Sequence, residues 1–236
     1  DREIKEFLDQ TKFISEDRKE QILSMLEKLE DKMVLAPASG KSHFHNAFAG
    51  GYIDHVNRVV QCSLMTRDLW MKMGADINFT EEELVFSALF HDLGKVGDGE
   101  VEGYIRQNDQ WRQKNLNEQF TPNKELPFML IQDRSLYILQ KFGINLSHNE
   151  YMAIRLHDGI YDEANKAYFM SYNPDSKIRT NIVNILHQAD YLASKVEYDH
   201  WYSSKSGDIQ QVVKKTAKGP KKVKGSKDLT NFIKNL

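Results

Sequence analysis

Two segments of the chain are built to one plan. Thr80 and Glu83 form a capping box that opens an apolar run ending on His91 and Asp92, and Ser147 and Glu150 form a second box whose run ends on His157 and Asp158. In each box the hydroxyl and the carboxylate satisfy donors that a helix start leaves without partners, so both runs are predicted as helices with a histidine at the end. Gly94 and Gly159 are placed to stop them. Periodicity elsewhere is also helical. Ile22, Met25, Leu26 and Leu29 share one face, and Ile53, Val56, Val60 and Leu64 share another. A last helix over 180–195 carries His187 and Asp190. The segment "YIRQNDQWRQ" reads as two short strands around an Asn-Asp turn, followed by a loop through Pro122 and Pro127. The expected fold is all-α with a small β-hairpin insertion.

With 40% hydrophobic and 11% aromatic residues over 236 positions, the chain can bury one core and carry appendages. Its formal charge of -2 gives no global reason to expect nucleic acid or an anionic membrane. Cys62 is the only cysteine, which excludes an intramolecular disulfide and a cysteine-based zinc cluster and suits a reducing compartment. No run approaches the roughly 18 to 20 apolar residues of a membrane span, and the acidic start "DREIKEFLDQ" lacks the order of a signal peptide. These features predict a cytoplasmic protein without membrane association. Residues 203–227, rich in Lys, Gly and Ser, read as a flexible basic linker. Beyond it, Leu229, Phe232, Ile233 and Leu236 share one helix face, with nine lysines between Lys205 and Lys234. That amphipathic segment either packs back on the body or docks a protein partner or nucleic acid.

His91 and Asp92 are two good metal ligands at the end of an apolar segment. His55 and Asp190 sit in the middle of other apolar helices, where a buried polar group without a partner costs about 1–3 kcal/mol. One shared cation would compensate all four, and imidazole with carboxylate suits divalent first-row ions. Lys95, four residues after His91, is placed to set a positive charge beside such a cation and the groups bound to it. Arg58, one turn after His55, is a candidate contact for an anionic substrate or the partner of a carboxylate. Tyr104, Arg106 and Trp111 of the insertion are candidates for stacking and pairing with a base.

The set His55, His91-Asp92 and Asp190, with "FHDLGK" as its most specific piece, resembles the HD-domain superfamily of metal-dependent phosphohydrolases over about residues 35 to 200. The resemblance implies an HD-domain helical bundle over 35–202, which leaves a helical extension over 1–34 and the basic linker with its amphipathic segment over 203–236. The segment "APASGKSHFHNAFAGGYIDHVNRVV" is similar to the branch that includes HD-type 3′-to-5′ exoribonucleases, where a His-His pair precedes a "GGLLEH" segment. Here the pair is His45-Asn46. The region from "YIRQNDQWRQKNL" to "RLHDGIYDEANKAY" is similar to HD proteins of tailed phages, which implies action in a host cytoplasm.

By this resemblance His55, His91, Asp92 and Asp190 hold a divalent ion (Mn, Fe, Ni, Co or Mg), and His157 holds a second ion or a substrate phosphate. Asp92 also orients the attacking water, and His45 contacts phosphate. The activity implied is hydrolysis of a nucleotide or related phosphate ester. Phosphodiester or 3′-to-5′ exonucleolytic cleavage and di-iron oxygenase chemistry are the alternatives within the superfamily. His187, one turn before Asp190, is expected behind the ligands or in the core, His148 on the surface, and His43 in a loop.

Overall fold

The computed structural model describes residues 2–206, with side chains described as far as Ser204. Nine α-helices and one two-stranded sheet are found among the described residues: α1 (Arg2–Gln10), α2 (Glu16–Met33), α3 (Gly51–Lys72), α4 (Glu81–Phe90), β1 (Tyr104–Arg106), α5 (Gln110–Leu116), β2 (Phe120–Pro122), α6 (Ile131–Lys141), α7 (His148–Leu156), α8 (Lys166–Phe169) and α9 (Ile182–Ser206). No helix among these residues is long and apolar enough to cross a membrane.

Helix α4 is the centre of the body. Every residue from Leu84 to Phe90 is buried, which a helix apolar all round requires. It packs on α3 and α7, while Phe7 of α1 meets Phe90 edge-on at 6.4 Å. The buried faces predicted for α2 and α3 are in place: Ile22, Met25, Leu26 and Leu29 are at most 8% exposed, Ile53, Val56 and Val60 are buried, and Leu64 is half-buried against them. Residues through Trp201 form one compact unit that includes α1 and α2.

Both capping boxes form, and they are joined. Thr80 Oγ1 accepts from Glu83 N, and Ser147 Oγ accepts from Glu150 N. The Ser147 hydroxyl then donates to Glu83 Oε1 at 2.6 Å. Arg18 of α2 ties the two helix starts a second time, bonding Glu82 at 2.6 Å and Glu150 at 2.8 Å with its guanidinium over the Phe86 ring. Helices α4 and α7 thus start side by side and run for ten and nine residues. At 1.5 Å per residue their far ends arrive together, which is why His91 and His157 meet.

Three expectations are corrected. The insertion is a two-stranded sheet, but its second strand is Phe120–Pro122, paired as Tyr104 with Pro122 and Arg106 with Phe120. Asp109 is not a turn residue: its carboxylate accepts from Trp111 N and Arg112 N, capping α5, and Trp111 is an exposed helical residue. Gly94 does not terminate α4 by adopting a left-handed conformation. Its backbone lies against the start of α6, where a Cβ would come within 2.3 Å of the Ile131 carbonyl oxygen. Finally, α9 continues past 195 to Ser206. The predicted linker beyond that point and the amphipathic segment lie outside the described residues.

Candidate metal centre

Three helix positions deliver the histidines. His55 lies inside α3, held by burial of its neighbours Ile53, Val56 and Tyr52. His91 and His157 are the residues that close α4 and α7. The rings pack in a row, with centroids 4.8 Å apart for His45 and His55, 5.7 Å for His55 and His91, and 4.8 Å for His91 and His157.

Backbone carbonyls orient two of them. His91 Nδ1 is 2.8 Å from the Ala88 carbonyl, and His157 Nδ1 is 2.8 Å from the Ile154 carbonyl. A carbonyl can only accept, so each Nδ1 carries a hydrogen, and it is each Nε2 that turns a lone pair to the interior once its own proton is released. His55 is oriented by a side chain instead: its Nδ1 lies 3.1 Å from Glu197 Oε1, and Arg58 bonds the same oxygen at 2.8 Å.

The outward nitrogens and two carboxylates converge. His55 Nε2 is 3.1 Å from Asp190 Oδ1 and 3.5 Å from Asp92 Oδ2, and His91 Nε2 is 3.4 Å from Asp92 Oδ2. His157 Nε2 approaches the other oxygen, Asp92 Oδ1, at 3.6 Å. Despite this proximity, His55 Nε2 and His91 Nε2 are buried and make no hydrogen bond. Two overlapping groups, His55 with His91 and Asp92, and His91 with His157 and Asp190, keep all ligand atoms within 4.8 Å of one another, close enough to hold a metal ion. The donor set of imidazole nitrogens and carboxylate oxygens fits a divalent first-row ion.

The charges are strongly coupled. Burial pushes the Asp92 carboxyl up, yet Lys95 Nζ at 2.5 Å and the neighbouring His91 hold it well below the usual carboxylate range. Lys95 is raised despite its burial, chiefly by Asp92. His55 is pushed up to about 10, because Glu197 and Asp190 outweigh its desolvation, and His157 rises to about 9 with Asp158 and Asp92 beside it against the same penalty. His45 goes the other way. Burial, reinforced by Lys95 and His55, brings it down to about 2, so its ring is neutral.

Comparison with protein-family models, curated proteins and solved structures finds no significant match.

The structure brings His55, His91, Asp92, Asp190, His157 and Lys95 into one cluster, with His45 stacked on its edge and its own Nε2 buried without a partner. Tyr104 is close enough to feel the charges of Lys95 and Asp92, while burial keeps its phenol protonated to higher pH. Arg106 is exposed and lies over the Phe120 ring at 5.8 Å, on the insertion rather than in the cluster. Arg58 pairs with Asp54 at 3.0 Å and with Glu197, behind His55, and lines a separate cavity with Asn46 and His200. His148 is exposed, and His43 lies in a loop beside Phe44.

His187 is half-buried and sits directly behind the backbone of His157. Its Nδ1–H donates to the His157 carbonyl at 2.7 Å, and the ring lines the cavity beside Asp190.

Two residues that position the centre escaped the sequence. Glu197 lies seven residues after Asp190, hence on the same face of α9, but beyond the predicted helix end. Ser135 of α6 accepts from Gly94 N at 2.8 Å and lies 2.8 Å from the His91 carbonyl, bracing the turn that carries Asp92.

Proposed function

We propose that the chain is a metal-dependent phosphohydrolase of the HD-domain kind that acts on the phosphate of a nucleotide. The observation that carries this reading is the pair of buried imidazole nitrogens, His55 Nε2 and His91 Nε2, that lack a hydrogen bond while two carboxylates face them. Each such atom costs about 1–3 kcal/mol unless something compensates it, and a cation held jointly with Asp92 and Asp190 does so. The two oxygens of Asp92 face different histidines, Oδ2 toward His55 and His91 and Oδ1 toward His157. Bound ions would be held by His55, His91 and Asp92 and by His91, His157 and Asp190, where they would supply Lewis acidity.

When bound there, a divalent ion supplies Lewis acidity and lowers the pKa of a water from about 15.7 toward about 7. The chain's own groups supply the rest. Asp92 orients the attacking water, and Lys95 places a fixed positive charge where phosphoryl oxygens become more negative. His45, neutral and half-buried at the cavity wall, can set an N–H on a phosphate oxygen without adding charge.

The test is metal content and turnover together. Protein loaded aerobically and anaerobically with Mn, Mg, Fe, Ni or Co is assayed for retained metal, phosphate release from mononucleotides, and oxygen uptake. We expect retained metal and phosphate release, both lost in His91→Ala. Oxygen consumption by the iron form without phosphate release would replace the hydrolase with a di-iron oxygenase.

A further inference from the structure

Beside the metal centre opens a cavity of about 880 Å³, within the roughly 300–1,000 Å³ of ligand sites. His187 and Asp190 line it together with Tyr161, Tyr191 and Phe44, and the Tyr161 ring lies 6.1 Å from that of His187. The rings of Tyr161 and Tyr191 are parallel, 6° apart in plane with centroids at 6.4 Å, yet they are 74% and 47% exposed. The mount of Tyr161 is rigid. It ends a 3₁₀ turn, Gly159–Tyr161, whose first residue has φ +58° and leaves no room for a Cβ against the His187 ring. From below, the fully buried Asn165 donates to the Gly159 carbonyl at 3.0 Å and is itself held by Arg155 at 2.9 Å.

We propose that Tyr161 and Tyr191 stack the base of a mononucleotide whose phosphate lies at the His/Asp cluster. The phosphate half rests on the phosphohydrolase reading; the base half stands on the aromatic pair. Every base offers a π-face, so an exposed, fixed aromatic platform next to an anion-binding centre selects an aromatic head on a phosphate tail. The surrounding charge limits the ligand to one nucleotide. Asp158, Asp190 and Asp199 line the same cavity against Lys195, and a strand's further phosphates would meet carboxylates instead of a basic track.

The probe is adenosine, which has no phosphate to be hydrolysed and no need of metal. Its binding to the full chain is titrated by ligand-observed NMR, with ribose as the comparison. Adenosine should bind saturably and ribose should not, and Tyr161→Ala or Tyr191→Ala should weaken adenosine by roughly 5- to 150-fold, the range that base stacking supplies. Tyr191→Phe, which keeps the ring, should restore it. Adenosine binding that is absent, or indifferent to both alanine variants, overturns the assignment, as does an adenine oligonucleotide that competes more tightly than the mononucleotide. Failed phosphate release with intact adenosine binding would remove the hydrolase reading and leave the base site standing.

Discussion

Glu197 offers the sharpest test of how the centre is held. It is 2% exposed, and its carboxylate fixes the His55 ring through Nδ1 at 3.1 Å while pairing with Arg58 at 2.8 Å. Glu197→Gln keeps the volume and removes the charge, so the surrounding packing is undisturbed. Arg58 retains Asp54 at 3.0 Å and is not stranded. His55 loses more. A glutamine can turn its own N–H toward Nδ1, which moves the ring hydrogen to Nε2 and takes away the lone pair that faces Asp92 and Asp190. Removing such an orienting partner typically weakens metal affinity 10- to 100-fold, or roughly 1.4–2.8 kcal/mol. Cobalt titrated against a competing chelator, followed by its visible absorption, measures both the affinity and the coordination. Arg58→Gln, which leaves the carboxylate in place, should have the smaller effect. Wild-type cobalt affinity in Glu197→Gln would refute the idea that His55 is a ligand set by Glu197.

Three further outcomes follow from the geometry. Lys95→Met should lower kcat at least about tenfold while metal content is retained, since its charge acts on the phosphoryl oxygens; unchanged kcat would remove it from catalysis. Metal uptake should release protons near neutral pH: with His55 raised to about 10 and His157 to about 9, both rings are protonated in the metal-free protein. Affinity should therefore rise with pH toward those values, and calorimetry in buffers of different ionisation enthalpy that shows no proton release would contradict this. Gly159→Ala should destabilise the fold by about 1–3 kcal/mol, because φ is +58° and the new Cβ would lie 2.5 Å from His187 Cε1. Thermal melting should drop by several degrees, and an unshifted transition would show that the turn can relax.

The candidate ligands were legible because His55 and Asp190 are polar residues among apolar helix neighbours, His91 and Asp92 follow an apolar run, and both capping boxes announce their helices locally. What the sequence hid was mostly tertiary. Gly94 looked like a helix stop, but its need for a missing Cβ comes from the carbonyl of Ile131 in a distant element. Asn108-Asp109 suits a tight turn and a helix cap equally, and the choice fell to Asp109 bonding two amides of α5. Helix α6 buries Gln132, Arg134 and Ser135, so its inward face does not read as apolar. Arg58 was open between phosphate and carboxylate; the structure sets it on Asp54, one turn earlier, and on Glu197.

The carbonyls of Ala88 and Ile154, which hold the hydrogens of His91 and His157, belong to the main chain. Any amino acid supplies that acceptor. Replacements at positions 88 and 154 can therefore be sorted by bulk alone, since both side chains are fully buried, and a smaller or isosteric residue leaves the imidazoles aimed as before. Position 197 obeys a different rule, because its orienting atom sits on a side chain. Two of the three central histidines are thus aimed by the main chain, and the aim of the third depends on a single glutamate.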